Sequence, residues 1–316
     1  MTKTIKNYGR SVKERLLNIS RAEKYSSQLL ISRYFQERLL YRLSVSDYKD
    51  KFILKGGALL YAHDGFQARP TLDIDFMAKN VSNDMANIRK IFQKICQIEC
   101  EEDGVVFDVD TIEASEIAVT KDYHGVRISL LAHLDTAQQN ISMDIGFGDV
   151  ITPSPQQLEF PVLIATAPGA NILAYSLETV VAEKFQAMIS LSLGNSRMKD
   201  FFDVYQILSK QTLDSATLSE AIKATFANRG TDYKANHPLF SEDFFTDSIR
   251  SQYWKGFLKR IKYSKQLSFT DVGALIRTRL QPYWDQLRSE YACSMASPRV
   301  ELGKSKTTTE QEREWN

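Results

Sequence analysis

Two carboxylates one residue apart, Asp73 and Asp75, follow the glycine pair Gly56-Gly57 after fifteen intervening residues. A short apolar run, Phe52-Ile53-Leu54, leads into the glycines. An amphipathic turn of helix follows them, and the unit ends in an alternating segment, Leu72-Asp73-Ile74-Asp75-Phe76. Residues two apart in a strand project to one side. Asp73 and Asp75 therefore share a face, and Leu72, Ile74 and Phe76 are expected to pack on the other. Adjacent carboxylates repel unless a cation lies between them. A hard divalent ion with oxygen ligands is the natural occupant. Glycines let backbone approach a phosphate, and the helix after them offers unpaired N–H groups to it. Metal and phosphate together point to phosphoryl or nucleotidyl chemistry. Taken singly, Asp-x-Asp is a common solvated pattern and Gly-Gly an ordinary turn. Together they serve one substrate, a metal-bound triphosphate.

Other residues fit the same chemistry. In Ser142-Met143-Asp144-Ile145-Gly146, a strand places Ser142, Asp144 and Gly146 on one face. A third carboxylate at Asp144 would help hold cations or accept a proton from an attacking hydroxyl. The alternative is a solvated strand-end acid, which applies to Asp149 as well. Lys184 flanks the apolar stripe Leu177, Val180, Val181, Phe185 and Met188, within reach of a phosphate as a point charge or simply solvated. In Arg197-Met198-Lys199-Asp200-Phe201-Phe202-Asp203, the two acids are three apart and share a helix face. Lys199 and Asp203 can form an exposed salt bridge of little energetic weight, or Arg197 and Lys199 can grip phosphates.

The segments Leu54-Lys55-Gly56-Gly57…Arg69-Pro70-Thr71-Leu72-Asp73-Ile74-Asp75 and Glu183-Lys184…Arg197-Met198-Lys199-Asp200-Phe201-Phe202-Asp203 resemble the AbiEii/AbiGii family. So does the opening helix with Glu37-Arg38-Leu39-Leu40-Tyr41-Arg42-Leu43, and the resemblance spans residues 10 to about 290. These are nucleotidyltransferase-like toxins of bacterial abortive-infection and toxin–antitoxin pairs, related to MenT toxins. The resemblance implies a polymerase β-like nucleotidyltransferase core with a helical C-terminal domain. It implies Gly57, with Gly56, at the triphosphate, Mg²⁺ (Mn²⁺ as a substitute) on Asp73 and Asp75, and phosphate on Lys184. Asp200 or Asp203 would complete the site. It further implies an NTP substrate (GTP, or CTP or UTP), transfer to a tRNA 3′ end, and a cognate antitoxin acting on expression without a stable complex. One departure is that many nucleotidyltransferases carry Gly-Ser where this chain has Gly56-Gly57, so backbone N–H groups must replace a hydroxyl.

Stepping outward, the spacing predicts an α+β layout: a mixed sheet with helices, then a helical back half. Residues 10–45 read as helical throughout, residues 51–55 and 72–77 as strands around a helix starting near Ala58. Asn83 is the expected cap of a helix to Cys100. Strands are expected around 105–109, 126–131 and 141–145, with short ones at Leu163-Ile164 and Ile172-Leu173 after a Pro-rich connection at Thr152–Pro155. Ser176 caps a helix to Leu193 closed by Gly194, and helices follow at 199–208, 216–227, 244–263 and 269–291. The implied division is an N-terminal helical segment (1–50), a core (51–175), a helical domain contributing to the site (176–292) and a polar tail (293–316).

Composition excludes a membrane span and a disulfide framework. Of 316 residues, 43% are hydrophobic and 25% charged, and the net charge is +1, so bulk charge selects no partner. Its distribution does more: residues 1–51 hold twelve Lys/Arg against five Asp/Glu, 95–150 two against twelve, and 250–288 nine against two. Basic ends around an acidic middle suit a polyanion lying across the molecule near a metal site, or are surface design alone. Cys96 and Cys100, four apart, read as one helix face in the core. The start lacks the apolar stretch of a signal peptide, so a cytoplasmic protein is expected. The leading function is NMP transfer from an NTP to an RNA end, blocking translation. Alternatives are nucleotidylation of a protein or small molecule, and a toxin that binds GTP without turnover.

Overall fold

The protein, described here by a computed structural model, is seen over residues 7–120 and 123–296. It opens with two helices, α1 (Tyr8–Glu23) and α2 (Ser27–Ser44). Asn7 caps α1, its side chain accepting from the Arg10 N–H at 2.9 Å. The single helix expected over 10–45 is broken because Lys24 turns left-handed, at φ 57°, and redirects the chain.

Seven strands form one mixed sheet in the order β3-β4-β5-β2-β1-β7-β6. They are β1 (Phe52–Lys55), β2 (Asp73–Ala78), β3 (Val105–Thr120), β4 (Tyr123–Leu134), β5 (Ala137–Gly146), β6 (Gln156–Phe160) and β7 (Ala170–Ala174). β1 runs antiparallel to β2, while β2 is parallel to β5 and β1 to β7. α3 (Gly56–Asp64) connects β1 to β2, and α4 (Met85–Cys96) lies between β2 and β3. The expected α+β layout, mixed sheet first and helices after, is the observed one.

α2 packs against β7, β5 and α4, and both its apolar and its charged side chains are buried. Arg42 donates to both Asp103 oxygens, at 2.7 and 3.3 Å, and Arg38 lies 2.6 Å from Glu37. Burial of ions on this scale is tolerated where each finds a counter-charge.

The helical half comprises α5 (Leu177–Leu191), α6 (Met198–Lys210), α7 (Ser215–Asn228), α8 (Glu242–Thr246), α9 (Ser248–Arg260) and α10 (Phe269–Ala296). Ser176 caps α5 as expected, accepting from the Thr179 N–H at 3.1 Å. Phe201 and Phe202 on α6 pack among Phe244, Phe245, Trp254, Phe257 and Phe269, with ring centroids between 5.3 and 6.3 Å. That aromatic core fixes α6 against α8, α9 and α10.

Several local expectations are corrected. Asp84, not Asn83, caps α4, which ends at Cys96 and leaves Cys100 outside it. Leu72 is 64% exposed, outside the sheet core, because β2 starts only at Asp73. Leu163-Ile164 is not a strand, and the segment after Pro155 forms β6, whose ladder with β7 overrides its polar sequence. α5 stops at Ser192, at φ 47°, before Gly194. The helix expected over 244–263 is two, divided at Asp247, whose side chain caps α9. α10 continues past Tyr291 to Ala296 with Pro282 inside it. The tail expected to fray lies, from residue 297, outside the described residues.

Candidate active site

The sheet register builds the acidic side of the site. Asp75 is the cross-strand partner of Lys55 on β1 and of Asp144 on β5, and Asp73 is the partner of Ser142. In-register neighbours project to the same side. Asp73, Asp75 and Asp144 therefore share one face, as the alternation predicted, while Ile74 and Phe76 are buried on the other.

The glycine pair has a different reason from the expected one. Gly56 adopts φ +67°, and a Cβ there would lie 2.7 Å from Asp75 Cβ and closer still to the carboxylate. A Cβ on Gly57 would lie 2.8 Å from Thr71 Cβ. Gly56 thus lets the end of β1 approach the carboxylate strand itself, and Gly57 lets α3 approach the segment leading into it. Gly56 lines the cleft beside Asp75; Gly57 is buried against Thr71 and is not among the lining residues.

That cleft has a volume of about 310 Å³. Its sheet side includes Asp75 and Asp144, and its helical side carries Glu183 and Lys184 from α5 and Arg197, Lys199 and Asp200 from α6. Asp144 is gripped by Arg127, Nε to Oδ1 and Nη2 to Oδ2 both at 2.7 Å, and this fork raises the Arg127 pKa. Asp73 and Asp75 form no ion pair among the described residues. Burial pushes the Asp75 carboxyl up, Lys55 opposes the rise and Asp144 adds to it. Burial and then Asp144 likewise raise Asp73. Nearby cations offset this charge only in part, Lys55, Lys199 and Lys184 acting on Asp75 and Arg127 and Lys199 on Asp73.

Lys184 is already committed. Its Nζ lies 2.7 Å from Asp200 Oδ1 and 2.9 Å from Asp203 Oδ2. Burial works against its charge, but Asp203 and Asp200 outweigh that and raise its pKa. The reading of Lys184 as a free point charge is corrected: two carboxylates compensate it. Asp203, buried, also accepts from Arg69 Nε and Nη2, at 2.9 and 3.0 Å, and does not line the cleft. The exposed Lys199–Asp203 pair does not form, because Asp203 faces inward toward Arg69 and Lys184. Asp203 positions Arg69 and Lys184 from behind the wall.

Asp200 is held low, burial being outweighed by Lys184 and Arg197. Arg197 Nε lies 2.7 Å from Asp200 Oδ2 without hydrogen-bond alignment, so that buried oxygen lacks a hydrogen-bond partner. Lys199 is exposed at the cleft and forms no ion pair among the described residues.

Sequence reasoning gave no role to Lys55, Arg69, Arg127 or Arg229. Lys55 joins Glu183 at 2.8 Å, and Arg229 joins Asp149 at 3.0 Å, so Asp149 is a half-buried, paired acid and not a solvated one. Lys55 and Arg69 stand inside the quoted motif, where a cation beside the glycines and carboxylates was a usable signal. Arg127 and Arg229 lie in no motif and carried none.

Among the described residues no three His, Cys, Asp or Glu side chains converge into a closed metal cluster. Mg²⁺ does not require one: it uses one or two carboxylates, keeps waters, and is completed by substrate phosphates. Asp73 and Asp75 are hard oxygen donors in no ion pair among the described residues, their carboxyls raised by burial first and by Asp144 in addition, and they fit that demand. Asp144 fits it only if it exchanges Arg127 for the ion.

A carboxylate pair on a mixed sheet, a glycine turn against it and a helical wall closing the cleft define a nucleotidyltransferase-like protein. The chain belongs to the AbiEii family: residues 38–288 match the nucleotidyl transferase AbiEii toxin of type IV toxin–antitoxin systems. It is a toxin of such a system, with a cognate antitoxin and a nucleotidyltransferase-like function. Among solved structures it is similar to JHP933 from Helicobacter pylori, at 13% identity and TM-score 0.46, over 86% of this chain and 98% of that one. A candidate nucleotidyltransferase from H. pylori matches at 13% identity and TM-score 0.46, over 84% and 98%. No curated protein sequence matches the chain. None of the described helices is long and apolar enough to cross a membrane.

Proposed function

We propose that this toxin transfers a nucleoside monophosphate from an NTP to the 3′ end of an RNA, a tRNA being the acceptor its family suggests, and so blocks translation and growth. The observation that carries the reading is Asp75, in no ion pair among the described residues and lining a cleft that Lys199 also lines, with Asp73, which does not line it, two residues along the same strand face. A carboxylate and a lysine in one cleft, neither in an ion pair among the described residues, suit a cation-bound triphosphate.

In this reading Asp73 and Asp75 hold Mg²⁺, which when bound neutralises phosphate charge and favours in-line displacement. Lys199 and Arg197 draw the triphosphate against the helical wall. Asp200 Oδ2, 2.7 Å from Arg197 Nε, holds that guanidinium at the cleft. The RNA 3′ hydroxyl attacks the α-phosphorus. A P–O bond forms as the bond to pyrophosphate breaks, and the hydroxyl proton passes to a carboxylate on the Asp144 side of the cleft. Lys184, fixed by two acids, stiffens α5 against α6 and offsets charge only indirectly. The antitoxin acts on expression and forms no stable complex with the toxin.

The test is to incubate the protein with each α-labelled NTP, Mg²⁺ and purified tRNA, with Asp75→Asn as control. Label in RNA, pyrophosphate release, and loss of both in the variant or with chelator are expected. Label on protein would replace the RNA acceptor, and NTP retention without turnover would establish a binding-only toxin.

A further inference from the structure

A second cavity of about 660 Å³, roughly twice the volume of the first, adjoins the active site and shares Arg69 with it. Its lining contains seven Lys or Arg and no Asp or Glu. Two of the seven are neutralised from outside: Arg69 by Asp203, and Lys210 by Asp64 at 3.0 Å. Lys24, Arg33, Arg260, Lys262 and Lys265 form no ion pair among the described residues. They come from both basic segments of the sequence, which α1, α2 and the end of α9 bring together.

Arg33 carries the strongest signal. It is 3% exposed and faces no carboxylate within ion-pair distance, and its Nη1 has no hydrogen-bond partner. Its guanidinium lies 3.9 Å from the Tyr61 ring centroid and 4.8 Å from that of Phe66. Ring faces offset part of the desolvation of a buried cation but do not satisfy its donors. An anion in the cavity would. Tyr25 stacks on Phe66 at 4.3 Å and 19°, presenting a flat aromatic surface among the cations, and Tyr263 lines the same cavity.

We propose that this cavity is a track for single-stranded RNA. Phosphates lie on Lys24, Arg33, Arg260, Lys262 and Lys265, bases stack on the Tyr25–Phe66 face and Tyr263, and the strand passes Arg69 toward Asp73 and Asp75. Dispersed cations with interleaved aromatic faces suit unpaired bases, whose π-faces are free, and not a duplex, whose bases are stacked on each other. A mononucleotide would leave most of the five cations unused. That the strand is the acceptor rests on the nucleotidyl-transfer reading above; that it binds does not.

The experiment measures binding of a labelled single-stranded RNA by anisotropy across salt concentrations, in chelator so that no transfer occurs. Wild type is compared with Lys262→Ser/Lys265→Ser and with Tyr25→Ala. Wild-type affinity should fall with salt, by about 0.7 in logarithmic slope for each phosphate neutralised. The double variant should bind roughly tenfold more weakly with a flatter slope, and Tyr25→Ala more weakly with the slope unchanged. Duplex RNA of equal length should bind less tightly, and NTP affinity should not move. Arg33→Met tests the buried guanidinium; if it does not fold, the exposed pair decides. Salt-independent binding, equal affinity in the variants, or preference for duplex overturns the proposal. RNA binding as expected without nucleotide transfer would remove the functional reading and keep the track. Transfer with unchanged KM for RNA in the double variant would remove the track and keep the function.

Discussion

The Asp75 carboxylate occupies the space where a side chain on Gly56 would begin, and Gly56 holds φ +67° to leave it there. The glycine turn and the acidic strand, seventeen residues apart between Gly56 and Asp73, are one structure: each is shaped by the other.

Gly56→Ala should therefore act as a site mutation. It displaces Asp75 and imposes left-handed strain of about 1–2 kcal/mol. Growth inhibition should be lost together with a fall in melting temperature. Gly65→Ala, also at positive φ but with nothing within 4 Å, should lose stability while staying toxic. Full toxicity in the Gly56 variant would mean that the Asp75 position is not needed.

Asp75→Asn should uncouple stability from activity. It removes a half-buried charge that Asp144 repels, so the metal-free protein should melt higher, on the order of 1–2 °C for ~1 kcal/mol in a chain of this size. Toxicity should disappear, as it should in Asp73→Asn. Any stabilisation of wild type by Mg²⁺ with NTP should also vanish. Melting curves with and without the ion decide it, and retained toxicity in both variants would remove the metal site.

Asp203→Ala strips the counter-charge from Arg69, which lines both cavities, and from one side of Lys184, which lines the first. Breaking a buried pair by removing one partner costs about 3–5 kcal/mol. Denaturant unfolding should show that loss, and a double-mutant cycle with Arg69→Ala should recover part of it. Unchanged stability with abolished turnover would place Asp203 among the reacting groups.

His237 sets a pH dependence. It is buried, its Nδ1 accepts from the Leu239 N–H at 3.2 Å, and its Nε2 faces the Ile189 carbonyl at 3.0 Å. The neutral ring, protonated on Nε2, satisfies both. Burial lowers its pKa, with Lys234 adding to the fall and the Ile189 bond opposing it. The folded pKa thus lies below the unfolded value of about 6.5. Between the two, the unfolded chain binds more protons, so stability is complete above about 6.5 and declines as pH falls toward the folded value. His237→Asn should lower stability at neutral pH yet flatten its loss on acidification. A variant whose unfolding free energy follows the wild-type slope would exclude His237 as the source.

Much of this was legible in the chain because it depends on local geometry. Strand alternation put Asp73 and Asp75 on one face, and Ser176 before an apolar helical stripe was a usable cap signal. Boundaries were less legible. A single left-handed residue, Lys24, divides the first two helices, and β6 exists because β7 offers it a ladder.

What the sequence determined by itself is periodic: which residues share a face, where glycine is required, and which segments can be helix or strand. These follow from the backbone and hold over a few residues. The tertiary structure alone decided which charges meet. Arg127 reaches Asp144 across 17 positions, Arg229 reaches Asp149 across 80, and Arg69 reaches Asp203 across 134. It also decided that Lys184 is ion-paired while Asp73 and Asp75, among the described residues, are not, and that two distant basic segments close on one cavity. A charge takes its partner by distance in space, and packing of the helical half against the sheet sets that distance.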